Sequence, residues 1–314
     1  MERRNFLKNS LLSGVGALTG ASAFSAITIP GQSKQQEFRQ TGEPFRMKFS
    51  PDFGLFEEIA GKDEVDQIKW GYDNGFRAWE CTGLARKSVG EQERISKAVQ
   101  KLGMDFGQFV GNLPFFGEIT FAGNDKALRE KVLKDIRASV EIAKRMNTKF
   151  VHNVLGLADP RLDNDFQIAN SIELLRRIAE IYEPHGIISV METMNHKINH
   201  PGMFLHKISQ SYALAKAVGS PSVKLLYDFY HVQIEEGNLL PLLDYAYDEI
   251  AYIQIGDNPG RKEPTTGEIN FWNTMQHLQN RGYRGFVGLE HGNSLPGKEG
   301  NLSTLKAYRS IDPK

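Results

Sequence analysis

The apolar positions of this chain follow two spacings that alternate from residue 45 onwards. Stretches with apolar residues four positions apart, such as Leu128, Val132 and Ile136, are typical of one face of a helix. A glycine usually follows, and then a short apolar run rich in β-branched and aromatic residues, such as Val223–Asp228 after Gly219. Glycine just past a helix end readily adopts the left-handed conformation that closes the last turn. The pattern therefore predicts a repeated helix–glycine–strand unit.

Eight such apolar runs divide the chain evenly. They cover residues 47–49, 76–80, 105–110, 149–152, 187–192, 223–228, 250–254 and 286–290. Residues 47–314 number 268, so eight units hold about 34 residues each, which is the length of one βα unit. Eight units favour a single α/β domain, a (β/α)₈ TIM barrel over residues 46–314, rather than an open doubly wound sheet. No sequence is left over for a second domain.

The first residues have the organisation of an export signal. Arg3 and Arg4 are followed by an apolar stretch over residues 11–26 that three glycines interrupt. A charged head, an apolar middle and a small-residue end are the parts of a signal peptide, and paired arginines resemble the twin-arginine type. The stretch is too short and too rich in glycine to span a membrane comfortably. We expect a cleaved signal over 1–26, a polar linker over 27–45, a periplasmic location and no stable membrane anchor after cleavage.

The charge balance argues against a nucleic-acid or membrane partner. The chain has 38 Lys and Arg residues and 38 Asp and Glu residues; without Arg3, Arg4, Lys8 and Glu2 of the signal, 35 basic and 37 acidic residues remain. Such a chain has no net field that attracts phosphate backbones or anionic lipids. The one cysteine, Cys81, excludes an intrachain disulfide. We expect a small-molecule partner, a sugar or a hydroxy-keto acid, and the sequence leaves open whether the barrel forms a homo-oligomer.

Four polar residues end the last four apolar runs, one in each consecutive unit: Glu192, Asp228, Gln254 and Glu290. The strand ends of a (β/α)₈ barrel converge at its C-terminal mouth, where catalytic residues collect. Three carboxylates packed together repel one another unless a cation lies between them. Oxygen ligands suit Mg²⁺ or Mn²⁺ better than Zn²⁺. A single polar residue of this kind is explained more simply as the solvent-exposed end of a strand. The four together predict a site for Mn²⁺ or Mg²⁺.

Three stretches in the second half of the chain carry a family resemblance. They are Leu226–Gln233, Tyr252–Arg261 and Glu263–Asn270. With these stretches the chain resembles the hydroxypyruvate isomerase family, within the xylose isomerase-like barrels that also include ketose 3-epimerases. The resemblance spans roughly residues 47–310 and is dense after the fifth apolar run. It implies a metal-dependent conversion of hydroxypyruvate to tartronate semialdehyde.

The resemblance also implies roles for individual residues. It assigns metal binding to Glu192, Asp228, Gln254 and Glu290. It assigns acid–base catalysis to Glu192 and Glu290, and contact with substrate to His231, Arg261 and Asn195. One departure concerns the loop over residues 195–200, which is one residue longer than the usual form in that family.

The residue types themselves are consistent with proton transfer beside a carbonyl. Isomerisation and epimerisation both remove a proton from a carbon next to a carbonyl, and a divalent cation stabilises the enediolate that forms. A base and an acid must flank the substrate, and the sequence does not say which of Glu192 and Glu290 is the base. The alternatives are a ketose 3-epimerase or 3-keto-glycoside lyase on the same scaffold, an endonuclease IV relative, and a barrel that only binds sugar. The endonuclease would need more histidine ligands and a basic face.

Other residues near the predicted strand ends are weaker candidates. Glu80 and His152–Asn153 end the second and fourth runs and would line the mouth or support it from the core. Pro114–Phe116, after the third run, would form an apolar wall over the substrate or anchor a loop. His185 precedes the fifth run, at the end of the barrel that serves stability, and is expected to be inert.

The twin-arginine interpretation predicts where a variant protein will be found. Replacing Arg3 and Arg4 together by lysine keeps the positive charge but removes the paired guanidinium groups that mark this class of signal. The double variant should therefore remain in the cytoplasm, as cell fractionation and immunoblotting would show, whereas a Lys8→Arg control should be exported normally. Unchanged export of the double variant would contradict the interpretation.

Overall fold

The computed structural model describes residues 42–112 and 117–314. The expected signal over 1–26, the linker as far as residue 41, and Pro114–Phe116 lie outside the described residues. Within the described ranges, no helix combines the length and the apolar character that crossing a bilayer requires.

Nine short strands form the inner layer of the described fold. In chain order they are β1 Lys48–Pro51, β2 Ala78–Trp79, β3 Asp105–Phe106, β4 Phe109–Val110, β5 Phe150–Asn153, β6 Ile188–Glu192, β7 Val223–Asp228, β8 Ile250–Ile255 and β9 Phe286–Leu289. All pairs are parallel. One sheet has the order β1-β9-β8-β7-β6-β5-β4, and β2 pairs with β3. Strands that follow one another in sequence are neighbours, which is the order of a (β/α)₈ barrel.

Backbone hydrogen bonds join the two sheets into a barrel. The N–H of Glu80, just after β2, donates to the carbonyl of Pro51 in β1 at 2.9 Å. β3 and β4 are successive pieces of one barrel strand, separated by Gly107 and Gln108. The nine pieces therefore fill eight barrel positions, and β6 to β9 are the fifth to the eighth. The expected TIM barrel is confirmed.

The third barrel strand is broken, although the sequence predicted one run over 105–110. A Cβ atom on Gly107 would lie 2.3 Å from the hydroxyl oxygen of Tyr252 in β8. The N–H of Gln108 donates to that hydroxyl at 3.3 Å instead of extending the ladder. A buried side chain from the other side of the barrel thus interrupts the strand, and the spacing of apolar residues carries no signal for such a distant contact.

The described helices form the outer layer. They are α1 Glu57–Ala60, α2 Glu64–Asp73, α3 Val89–Lys101, α4 Lys126–Met146, α5 Asn164–Tyr182, α6 Ile208–Val218, α7 Phe229–Glu235, α8 Leu239–Ala246, α9 Phe271–Asn280 and α10 Gly297–Ile311. Short 3₁₀ turns cover Leu84–Arg86, Glu183–His185 and Tyr247–Glu249.

Helix α4 shows how local chemistry sets the ends of these helices. The Asp125 carboxylate caps its first turn by accepting the N–H groups of Ala127 and Leu128 at 2.8 and 3.0 Å. Asn147 ends it with a left-handed φ of 53°. Its buried face includes Ile136, which belongs to the apolar stripe that the sequence predicted.

Aromatic side chains fill the barrel below its C-terminal mouth. The rings of Tyr252 and Phe286 stack with their centroids 5.5 Å apart, and Phe150 meets both rings edge-on. Ala78, Val190 and Leu226 are further buried members of this cluster. Because the cluster packs the amino-terminal part of the barrel, the polar side chains at the strand ends lie above an apolar floor.

Candidate active site

The four predicted metal ligands lie together at the C-terminal ends of the strands. Glu192 and Asp228 are the last residues of β6 and β7, and Asp228 pairs in register with Gln254 of β8. The N–H of Glu290, one residue past β9, donates to the carbonyl of Ile255 at 3.1 Å. Glu192, Asp228 and Gln254 are buried, whereas the Glu290 side chain is 32% exposed. The parallel register therefore brings all four to one mouth.

Asp228 has two tasks because α7 begins directly after it. Its Oδ1 accepts the N–H groups of Tyr230 and His231, which caps the helix, and its Oδ2 faces the mouth. This short turn brings His231 back over the strand ends, where Nε2 lies 3.5 Å from Glu192 Oε1 and 3.8 Å from Asp228 Oδ2. On the other side, His152 Nε2 lies 3.1 Å from Glu192 Oε2.

Asn195 orients His231. The backbone N–H of Asn195 donates to Nδ1 of His231 at 3.2 Å, and its side-chain amide lies 2.6 Å from the same nitrogen. A backbone N–H can only donate, so Nδ1 is the acceptor and Nε2 carries the hydrogen. His231 therefore directs its Nε2 hydrogen towards the carboxylates of the mouth, where Glu192 Oε1 lies 3.5 Å away. Asn195 is fully buried, and its observed contacts orient His231.

Arg261 lies between two of the carboxylates. Its Nη2 is 3.1 Å from Asp228 Oδ2 and 2.9 Å from Glu290 Oε1, and its Nε donates to the Glu290 carbonyl at 3.1 Å. The guanidinium also lies 4.9 Å from the centre of the Tyr230 ring. Arg261 adopts a φ of 51° to reach this position. The residue that the sequence proposed as a substrate contact is thus the cation that balances the mouth.

Glu80 fixes the orientation of Gln254. Its buried carboxylate accepts the Tyr252 hydroxyl at 2.6 Å, Gln108 Nε2 at 3.1 Å and Gln254 Nε2 at 3.4 Å. With its NH₂ group held by Glu80, the Gln254 amide directs Oε1 away from Glu80. A Cβ atom on residue Gly288 would lie 2.6 Å from Glu80 Oε2, so only glycine leaves room for this carboxylate.

The sequence named Glu80 and His152 only as weak candidates, and it missed Gln108 and Tyr252. Glu80 ends an apolar run, as the four main candidates do. The run that ends at Glu80 lies far along the chain from the four runs that end at the main candidates. The role of Glu80 depends on a contact with Gln254, 174 residues away. For Gln108 and Tyr252 the sequence holds no such signal. His185, expected to be inert, lies in the turn Glu183–His185 before β6, at the opposite end of the barrel.

Three of the predicted ligands present an oxygen atom without a hydrogen-bond partner among the described residues. These buried atoms are Glu192 Oε1, Gln254 Oε1 and Glu290 Oε2. Asp228 adds Oδ2, which Arg261 contacts. Leaving polar atoms buried and unpaired costs free energy, so such atoms indicate a missing partner. Carboxylate and amide oxygens are the donors that Mg²⁺ and Mn²⁺ prefer, so the donor set fits the predicted cation.

Burial controls the protonation of the mouth. It raises the pKa of Glu192 well above the usual value, with Asp228 adding to the rise, and it raises the pKa of Glu290 to about 8. Burial also raises the pKa of Asp228, but His231, Arg261 and two backbone N–H groups together bring it below the usual value. Burial lowers the pKa of His152 to about 4 and that of His231 to about 3. Both histidines are therefore neutral at neutral pH.

A parallel barrel with a polar mouth of this kind defines a class of enzymes. Residues 68–311 match the sequence profile of the xylose isomerase-like TIM barrel family. The match covers most of the chain, which belongs to this family.

Within this family the sequence relatives include proteins named hydroxypyruvate isomerase and 2-oxo-tetronate isomerase. The Escherichia coli hydroxypyruvate isomerase is 32% identical over 164 residues, which are 52% of this chain and 63% of that protein. A human protein, named provisionally as a hydroxypyruvate isomerase, is 31% identical over 278 residues, covering 83% of this chain and 95% of that protein. These relatives confirm the resemblance inferred from the motifs.

A solved structure confirms the architecture. A Brucella melitensis protein titled AP endonuclease, family 2, superposes with a TM-score of 0.72 and 25% identity, covering 84% of this chain and 99% of that chain. The superposition spans nearly the whole of that protein, so the two chains share the barrel fold.

The Glu80–Gln254 contact predicts that a change at Glu80 weakens cation binding, whereas loss of another hydrogen bond to the same carboxylate lowers only the stability of the fold. In Glu80→Met a thioether of similar length replaces the carboxylate that accepts the Gln254 NH₂ group, so Gln254 should lose its fixed orientation. Mn²⁺ affinity should fall by roughly 10- to 100-fold, the usual effect of losing a residue that orients a ligand. A Mn²⁺ titration of the purified chain measures this.

The matched control for Glu80→Met is Gln108→Met, which removes another donor to the same carboxylate without touching Gln254. It should lower the melting temperature but leave the Mn²⁺ affinity close to that of wild type. Equal affinity in wild type and Glu80→Met would show that Glu80 does not orient a ligand.

Proposed function

We propose that this protein is a divalent-metal-dependent isomerase of a small hydroxy-carbonyl compound, of the hydroxypyruvate to tartronate semialdehyde type. The observation that carries the proposal is the set of unpaired oxygens on Glu192, Gln254 and Glu290 around Asp228. Membership of a family with hydroxypyruvate isomerases supports the reaction type.

In this proposal Mn²⁺ or Mg²⁺ is held by Glu192, Asp228, Gln254 and Glu290. When bound, the cation supplies a Lewis acid that polarises the substrate carbonyl and stabilises negative charge on its oxygens. His231 is reserved for the substrate, because its Nε2 carries a hydrogen and cannot be a ligand in this tautomer. Asn195 supports the substrate site by holding His231 in that tautomer.

Glu192 and Glu290 are the proposed acid–base pair. The reaction breaks a C–H bond at the hydroxymethyl carbon and forms one at the former carbonyl carbon, while the hydroxyl proton moves to the former carbonyl oxygen. A carboxylate oxygen at the mouth accepts the first proton, and a carboxyl group returns a proton to the neighbouring carbon. The two glutamates stand on β6 and after β9, with β7 and β8 between them, so they approach a bound substrate from different sides.

Arg261 and His231 are the proposed substrate contacts. The planar guanidinium of Arg261 matches a carboxylate such as that of hydroxypyruvate. The N–H of His231 Nε2 donates to a substrate oxygen. Both groups stand beside Asp228, so they lie at the same side of the mouth.

We also propose that the protein acts in the periplasm after export through a twin-arginine signal. The support is the pair Arg3 and Arg4 before a glycine-rich apolar stretch.

The substrate class is tested with a panel of hydroxypyruvate, ketohexoses and 3-keto-glycosides, incubated with the purified mature chain and Mn²⁺ in D₂O. Proton transfer through an enediolate places solvent deuterium on the carbon that gains the C–H bond, which NMR detects. We expect conversion of hydroxypyruvate. Turnover confined to ketoses would instead support a 3-epimerase, and loss of a glycosidic substituent would support a lyase.

Removal of divalent cations should abolish turnover. Without a cation, the enediolate charge would develop beside three carboxylates. A chelator-treated sample should regain activity when Mn²⁺ or Mg²⁺ is added and should not regain it with K⁺ at the same ionic strength. Full turnover in the treated sample, with no response to either cation, would contradict the proposal.

Glu290→Gln should separate proton transfer from cation binding. The amide keeps an oxygen ligand and nearly the same volume but cannot accept the proton, so turnover at saturating Mn²⁺ should fall by roughly 10²- to 10⁴-fold. Mn²⁺ should still bind, more weakly because one negative charge is lost. Gln254→Glu should act in the opposite direction on affinity, since it adds a fourth carboxylate.

The control for Glu290→Gln is Glu180→Gln, which changes an exposed carboxylate on α5 and should leave both quantities unchanged. If Glu290→Gln keeps near-normal turnover at saturating Mn²⁺, Glu290 is a ligand alone and proton transfer must be reassigned.

A further inference from the structure

A second cluster of ligand-type side chains lies outside the mouth. Glu235 is the last residue of α7, His196 lies in the loop after β6, and His206 lies just before α6. Glu235 Oε1 is 2.8 Å from Nδ1 of His196 and 3.1 Å from Nδ1 of His206. The imidazole rings are 4.3 Å apart between centroids. Two nitrogens and one carboxylate oxygen, all within 4.8 Å of one another, thus converge from the loop after β6 and from α7.

Hydrogen bonding alone does not account for this cluster. The Nδ1 atom of His206 has hydrogen-bond geometry towards Glu235 Oε1. The Nδ1 atom of His196 is closer to the same oxygen, yet it is buried and has no hydrogen-bond partner among the described residues. The other carboxylate oxygen, Oε2, accepts the backbone N–H of His196 at 3.3 Å. One imidazole nitrogen therefore points into the cluster unpaired.

We propose that His196, His206 and Glu235 bind a zinc-type divalent cation at a second site, separate from the mouth. Two imidazole nitrogens with one carboxylate oxygen form a donor set that suits Zn²⁺, with water as the fourth ligand. With ligand bonds of about 2.0–2.2 Å, the donor atoms around a tetrahedral Zn²⁺ lie roughly 3.3–3.5 Å apart. The observed separations of 2.8 and 3.1 Å require the side chains to open by only a few tenths of an ångström.

The cluster is both anchored and accessible. The Glu235 side chain is 3% exposed, so its position is held by packing, whereas His196 is 42% and His206 26% exposed. Lys197 Nζ donates to the backbone carbonyl of Glu235 at 2.5 Å, which already holds the loop against the end of α7. A cation from solvent can therefore reach ligands whose backbone is in place.

The position of this site gives it a structural task. His196 follows Asn195, which orients His231, and Glu235 stands one helical turn after His231 on α7. A cation bound by His196 and Glu235 therefore cross-links the loop to α7 directly behind the Asn195–His231 contact. Binding there stabilises the arrangement that directs the Nε2 hydrogen of His231 into the mouth, without touching the reacting atoms.

The test is a Zn²⁺ titration of the full chain with saturating Mg²⁺, followed through the imidazole NMR signals of the eight histidines. We expect the signals of His196 and His206 to shift together. In His206→Asn the shift of His196 should vanish and Zn²⁺ affinity should fall by more than roughly 100-fold, because losing a ligand costs more than losing a residue that orients one. His196→Asn should do the same to the signal of His206.

The matched control is His277→Asn, which removes an imidazole that lies 2.8 Å from a single carboxylate, that of Asp244. This variant should keep the Zn²⁺ shifts and the affinity of wild type. Glu290→Gln should also keep them, because the second site does not include the mouth. The proposal is overturned if wild type shows no coupled shift of His196 and His206, or if both asparagine variants, with melting temperatures near wild type, bind Zn²⁺ as tightly as wild type does.

Discussion

Repulsion between carboxylates is the constraint around which this barrel mouth is arranged. Glu192 and Asp228 are buried and meet Glu290, whose side chain is 32% exposed, and like charges held together in such surroundings are costly. Arg261 reduces this repulsion by forming ion pairs with Asp228 and Glu290 at 3.1 and 2.9 Å. The first N–H groups of α7 further stabilise the negative charge of Asp228 by donating hydrogen bonds to it. These groups leave one buried oxygen on each of Glu192, Gln254 and Glu290 without a hydrogen-bond partner among the described residues, and these oxygens are the donor set that we propose for a divalent cation.

The same constraint makes two chemically identical residues different. The Glu192 side chain is 1% exposed and lies beside His152, which burial keeps neutral. The Glu290 side chain is 32% exposed and contacts the guanidinium of Arg261. Placing two carboxyl groups in unlike surroundings is how a site separates the role of acid from the role of base. In this protein the strands bring both glutamates to the mouth. The residues around each glutamate determine its exposure and its electrostatic surroundings.

The barrel and its loops contribute separately to function. The parallel register brings strand-end residues together in any barrel of this family, so the scaffold by itself does not choose a substrate. The loop after β6 carries Asn195, His196 and His206, and it packs against α7 through contacts with His231 and Glu235. Loops on a rigid scaffold are where recognition is set. The contacts of Asn195 in this loop hold the His231 ring in the orientation described above.

The eight barrel positions and the four strand-end residues could be predicted from the sequence alone, because both follow from local spacing. Apolar periodicity, glycines after helices and the last polar residue of each run are signals within about one βα unit, and a closed parallel barrel turns them into one site. The break at Gly107 and the orientation of Gln254 could not be predicted. They depend on Tyr252 and Glu80, which make their contacts across 144 and 174 residues. Which side chains share a charge or a hydrogen bond is decided only when the barrel closes, because distant strand ends then become neighbours.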